Sequence, residues 1–136
     1  MSLAVSDTAP KPSPGALRIA LDGATLRPRD LAESLGVTEA DLLAAQVGHG
    51  VTRIAAHPDR LMPVVCGLGE VMALTRNASV VHERTGTYDD WHSGDHAAMI
   101  LGPEIDLRIF PSHWVHGFAV RNDSEKGPPR SLQVFD

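Results

Sequence analysis

Arg108 has the clearest chemical setting in this sequence. It stands in Glu104-Ile105-Asp106-Leu107-Arg108-Ile109-Phe110, whose alternation is that of a strand with one buried face. Ile105, Leu107 and Ile109 then point to a core, leaving Asp106 and Arg108 on the opposite side. A guanidinium fixed on a strand is always charged and forked, so it suits recognition of a carboxylate or projection over a planar ligand. The plainer alternative is an ion pair with a neighbouring carboxylate, or a solvated charge.

The chain holds seven histidines, clustered between His82 and His116. In Tyr88-Asp89-Asp90-Trp91-His92-Ser93-Gly94-Asp95-His96, the pair His92 and His96 offers imidazole nitrogens to a metal or a haem iron. Two histidines four apart come within reach of one metal on a helix, whereas Ser93-Gly94 marks a turn and no glutamate stands between them. With no further cysteine or His-x-x-x-Glu ligands in the sequence, a structural zinc site is not expected. His113 and His116 flank Trp114 at a strand start, where their odd separation sends them to opposite faces. His49 and His57 read as loop or surface histidines, and Cys66, with no cation nearby in sequence, as a small buried hydrophobe. Glycine-rich phosphate loops and serine-nucleophile elbows are absent from the sequence.

These side chains need elements to hold them, and 136 residues fit one domain. Apolar residues make up 43% and charged residues 21%, enough for a core, but the aromatic share of 4% leaves packing to aliphatic side chains. Residues 1–15, with three prolines and little apolar material, read as a flexible leader, and residues 16–136 as the domain. From Pro28 to Gly48, Leu31, Leu35, Leu42 and Leu43 recur at helical spacing with Gly36 as a break, which predicts two short helices and a tight turn. Thr38 with Asp41 approximates a capping box. Beyond Gly48 helical spacing fades, Pro58 and Pro63 punctuate the chain, Val64 to Leu68 reads as a connector, and strands follow: 71–76 and 80–84 as a hairpin around Asn77-Ala78-Ser79, then 97–101, 105–110, 114–121 and 130–135. Short strands with short loops pair as an antiparallel meander, so the expected class is α+β, short N-terminal helices followed by an antiparallel β-sheet meander.

Charge narrows the partners. A net charge of −5 argues against a surface that neutralises phosphates or lies on anionic lipid. Leu31 to Ala45 has the outline of a helix-turn-helix, yet its second helix opens with Glu39 and Asp41, which would repel a nucleic-acid backbone. Cys66 is the only cysteine, the N-terminus lacks an apolar signal core and no apolar run reaches the ~20 residues of a membrane span. The expected setting is cytoplasmic, with neither nucleic acid nor membrane as partner.

From about Arg29 onward the sequence resembles the HemS/HmuS/ChuS family of haemin-degrading or haem-transport factors, in the first of that family's two repeats. The matching stretches are Arg29-Asp30-Leu31-Ala32, Leu35-Gly36-Val37, Gly69 to Asn77, Val81-His82-Glu83, Asp106 to Phe110 and Ser131 to Asp136. The resemblance implies an α+β half-unit with a large antiparallel sheet, in a cytoplasmic protein that binds haem in a cleft and passes it on or opens its ring. It also implies that Arg108 matches the arginine on the haem face opposite the axial histidine. That histidine belongs to the family's second repeat, and the comparable stretch Arg27-Pro28-Arg29 carries no imidazole.

The resulting expectation is a haem-binding protein of iron utilisation, with haem as ligand or substrate, Arg108 as its best contact and His92 or His96 as substitute iron ligands. Oxygenase-like degradation of haem is an activity the resemblance brings with it. A chain ending at Asp136 stops short of the family's second half, so a homodimer rebuilding the pair is one expected arrangement. The alternative from another class is a half-domain that binds no haem and serves as a dimerisation or scaffold module.

Overall fold

The computed structural model describes residues 10–123 and 128–136. Ser13 opens the first helix, α1 (Pro14–Asp22): its hydroxyl accepts the Ala16 N–H, and Pro14 occupies the first turn, where a missing N–H is no loss. Helix α2 (Pro28–Leu35) also begins on proline and ends at Gly36, whose φ of 68° is left-handed and favours glycine. Helix α3 (Glu39–Ala45) begins with a complete capping box, in which Thr38 Oγ1 accepts the Asp41 N–H at 3.0 Å and Asp41 Oδ2 accepts the Thr38 N–H at 2.9 Å. Strand β1 (Val51–Ile54) leads to α4 (Pro58–Val65), where His57 Nδ1 accepts the Asp59 N–H.

The remaining chain is mostly strand. The hairpin of β2 (Glu70–Arg76) and β3 (Val81–Thr87) runs in register from Arg76 opposite Val81 to Glu70 opposite Thr87. Asn77 Oδ1 closes its turn by accepting the N–H groups of Ser79 and Val80. Strands β4 (Trp91–His92), β5 (Ala98–Leu101) and β6 (Asp106–Ile109) form an antiparallel meander. After a 3-10 turn at Pro111–His113 come β7 (His116–Arg121) and β8 (Arg130–Phe135). The third sheet has the order β1-β7-β8.

The described residues form two compact units, 10–53 with 120–123 and 128–131, and 54–119 with 132–136. In the first, Leu17, Leu31, Ala32, Leu42 and Ala45 make a small core between the helices. In the second, Leu61, Met62 and Val65 of α4 pack with Ala73, Ala98, Ile100, Ile105 and Ile109. Ile100 is 0% exposed, and burying such a side chain contributes roughly 1.5–3 kcal/mol. That core fixes which face of the β4-β5-β6 sheet points inward.

The α+β class with short N-terminal helices and antiparallel sheets is the observed one, and the expected strands over 97–101, 105–110 and 130–135 stand within a residue of their places. Four elements differ from expectation. Helix α4 occupies a stretch where no helix was expected and runs into the connector expected over 64–68, because Pro58 sits at its first position, where proline starts helices instead of ending them. Strands β1 and β4 were not expected, being too short for alternation to be visible. Of the leader over 1–15, residues 1–9 lie outside the described residues, while Ser13, Pro14 and Gly15 form the cap and first turn of α1. The strands also divide into three sheets, with only β4-β5-β6 a three-stranded meander.

Candidate functional site

Pairing across the meander places His92 opposite Met99, and Met99 opposite Arg108. Directly paired residues of antiparallel strands project from the same side. The three side chains therefore form one row across the sheet, with His92 and Arg108 two strand spacings apart, roughly 10 Å. The neighbouring row, Trp91-Ile100-Leu107, projects to the core. Burial agrees with this alternation: Ile105 and Ile109 are buried, Leu107 is half-buried, and Asp106 and Arg108 are exposed. Leu101, paired with Asp106, shares the outer face.

Each end of the row has a carboxylate partner. At one end His92 Nε2 donates to Asp90 Oδ1 at 2.8 Å. The carboxylate turns the ring and leaves Nδ1 as the nitrogen with a lone pair to offer, the arrangement that orients and strengthens imidazole ligands. Asp90 holds a φ of 55°, the one positive value among described non-glycine residues, and its carbonyl accepts the Leu101 N–H. Aspartate tolerates this conformation better than most residues. At the other end Arg108 Nη1 donates to Asp106 Oδ1 at 3.0 Å, the ion pair anticipated as the plainer role. That bond uses one of five guanidinium donors.

His96 lies in the loop between β4 and β5, outside the row. Its ring meets the edge of Phe110, with centroids 6.1 Å apart, and Phe110 meets His113 at the same separation. Phe110 is 45% exposed, so an apolar ring flanked by two imidazoles stands at the end of β6. His113 belongs to the 3-10 turn and only His116 to a strand, so strand alternation does not relate these two as expected. Among the described residues, no group of three or more His, Cys, Asp and Glu could hold a metal ion.

Two titratable side chains packed against the core, Tyr88 and Cys66, are shifted toward their neutral forms. Burial pushes the Tyr88 hydroxyl up, with a smaller push from Cys66, and burial likewise raises the Cys66 thiol, aided by the Asp89 carboxylate. Cys66, expected as a small buried hydrophobe, is partly buried and packs against the core, and the upward shift disfavours the thiolate that nucleophilic work needs.

The outer face thus joins His92 and Arg108, and sets Met99, Leu101 and Asp106 between and beside them. Met99 and Asp90 escaped sequence reasoning: alternation within 97–101 puts Met99 on some face, but only cross-strand register puts it between His92 and Arg108. An imidazole with one nitrogen available, a guanidinium with donors to spare and thioether and alkyl surface between them fit a flat apolar ligand that bears a metal and carboxylates. An iron porphyrin with propionate groups answers that description.

Comparison with known proteins points the same way. The family model of the haemin-degrading HemS.ChuX domain matches residues 36–136. The chain is 38% identical over 109 residues to the hemin transport protein HmuS of Yersinia pestis, covering 79% of this chain and 32% of that protein. Among solved structures, holo-PhuS, a heme-binding protein from Pseudomonas aeruginosa, aligns with a TM-score of 0.83 and 39% identity over 92% of this chain and 38% of that one. The E. coli heme oxygenase ChuS aligns with a TM-score of 0.77 and 31% identity over 86% of this chain and 36% of that one. The chain spans about a third of the length of the curated relatives it matches.

Proposed function

The chain belongs to the haemin-degrading HemS/ChuX domain family, and from that premise we propose that it binds haem, as cargo or substrate, on the outer face of the β4-β5-β6 sheet. The observation that carries this reading is the row His92-Met99-Arg108. A ring laid on that face meets Met99 and Leu101 with its apolar surface and the available Nδ1 of His92 with its iron. Arg108, on the same side of the sheet, then meets the ring at its margin, where a propionate accepts a charge-assisted hydrogen bond. His96 and Phe110 stand at the rim, His96 as the second candidate imidazole. Haem brings its own redox chemistry, and these residues bind and orient it.

Titration at micromolar haem, followed at the Soret band, tests the reading. The wild-type chain should shift the band. Arg108→Ala should weaken binding by about 1.5–3 kcal/mol, roughly ten- to hundredfold, the worth of a hydrogen bond to a charged group. His92→Ala should move the position of the band, and His96→Ala should leave it in place. No shift with the wild-type protein overturns the proposal. Loss of the Soret band under reductant and oxygen would add ring opening to binding. A cytoplasmic setting, without a membrane or nucleic-acid partner, belongs to the same proposal and rests on the family resemblance and the acidic net charge of −5. No helix among the described residues is long and apolar enough to cross a membrane.

The Asp106–Arg108 ion pair favours a second reading, in which Arg108 is only a surface charge and the chain is a scaffold or dimerisation module that ignores haem. Size-exclusion with light scattering separates the two, since a dimer with no haem spectrum supports the second alone.

A further inference from the structure

A cleft of about 300 Å³ opens between the β2-β3 hairpin and the chain over 104–107. The hairpin's register sets Ala73 opposite Arg84 and Thr75 opposite His82, and alternation puts all four side chains on one face. Ala73 and Ile105 belong to one buried core, and half-buried Leu107 packs against it, so the floor of the cleft is apolar. Its rim is polar, formed by Thr75, His82 and Arg84 on one side and by Glu104 and Asp106 on the other.

Arg84 is oriented there by the backbone. Its Nε donates to the Glu104 carbonyl at 3.1 Å, which leaves the N–H donors of Nη1 and Nη2. The two carboxylates of the rim are engaged elsewhere. Asp106 holds Arg108 at 3.0 Å. Glu104 lies over buried Gly86, where a Cβ would stand 2.7 Å from Glu104 Cβ and nearer still to the carboxylate, so only glycine lets that side chain settle. Among the described residues neither carboxylate forms an ion pair with Arg84. An open guanidinium fork beside an apolar hollow is built to receive a carboxylate that carries an apolar body. We infer that this cleft binds a small organic monocarboxylate, its charge on the Arg84 fork beside the Thr75 hydroxyl and the His82 imidazole, its body on Ala73, Ile105 and Leu107. An inorganic anion would leave that floor uncovered, and a second negative charge on the ligand would meet Glu104. The volume lies at the lower end of the range for ligand pockets, roughly 300–1,000 Å³, so the occupant is small. The site is independent of the haem proposal: His92, Met99 and Arg108 do not line it.

Titration of the isotope-labelled, haem-free chain with sodium benzoate, followed by its amide resonances, tests the site, since benzoate joins a carboxylate to a flat apolar ring. Saturation is expected with a Kd on the order of 1 mM, with shifts along 73–75, 82–84 and 104–107 and none along 51–54. Benzamide keeps the ring without the charge, and acetate keeps the charge without the ring, so each should bind about tenfold more weakly or worse. Arg84→Gln should weaken benzoate about tenfold or more, as a lost charge-assisted pair does. Arg108→Ala should leave it within about twofold, which separates this guanidinium from the one proposed for haem. Circular dichroism checks that each variant folds, and if Arg84→Gln does not, the wild-type shifts decide. No saturation by roughly 20 mM, benzamide or acetate binding as well as benzoate, an indifferent Arg84→Gln, or shifts centred on His92, Met99 and Arg108 would overturn the proposal.

Discussion

At the scale of single residues, Asp106 competes with any acidic ligand of Arg108. The two side chains lie two apart on β6, project together, and share a 3.0 Å bond in solvent. Such an exposed pair contributes only about 0.2–1 kcal/mol, so the proposed propionate contact would displace it at small cost. Asp106→Asn removes the negative charge while keeping the size of the side chain. It should therefore tighten haem binding, by up to about fivefold if the whole of that energy is recovered. Weaker binding in this variant, measured by the same titration, would show that Asp106 holds the fork in its working position. The faces of Asp106 and Arg108 were legible in the sequence because Ile105 and Ile109 bracket them with the period of a strand. His92 could be named but not placed, since what sets it in line with Arg108 is the register of three strands, which no local pattern records.

At the scale of elements, the start of α3 is the most legible part of the chain, since a capping box is written in four consecutive residues. Its energetics are equally local. The backbone N–H of Thr38, chiefly, holds the Asp41 carboxyl below its ordinary 3.8, with the Thr38 hydroxyl and Lys11 helping against a little burial. A carboxylate whose folded pKa is lowered contributes stability above its unfolded pKa, and that contribution is lost as pH falls through the folded value. Urea unfolding should thus show Asp41→Asn less stable than wild type at neutral pH, with the difference shrinking below about pH 5 and gone once both forms are protonated. Thr38→Ala should cost about 1 kcal/mol at neutral pH. A deficit in Asp41→Asn that stayed constant into acid would assign the effect to shape and not to charge. Helix α4 was illegible for the opposite reason: proline, ordinarily a helix breaker, starts this helix at Pro58 and stands inside it at Pro63, and the His57 side chain that caps it resembles any loop histidine.

For the whole molecule, the question is whether haem belongs to the folded state or merely adheres to it. The apolar surface of the described residues includes the row around Met99 and the hairpin stripe of Met72, Leu74 and Val81, and a flat apolar ligand can colour a protein by sticking to either. Thermodynamic linkage distinguishes them. A ligand that binds only the native state raises unfolding free energy by RT ln(1 + [L]/Kd), about 2.7 kcal/mol at a hundredfold excess over Kd. Binding to the unfolded chain as well cancels part of that gain. With haem bound at the His92-Met99-Arg108 row, the urea midpoint should therefore rise with haem concentration at unchanged slope. Arg108→Ala should lose most of the rise at the same haem concentration, whereas Met72→Gln, on the other face, should keep it. A Soret shift with a fixed midpoint, or a rise abolished by Met72→Gln and untouched by Arg108→Ala, would move haem off the sheet and onto the hairpin.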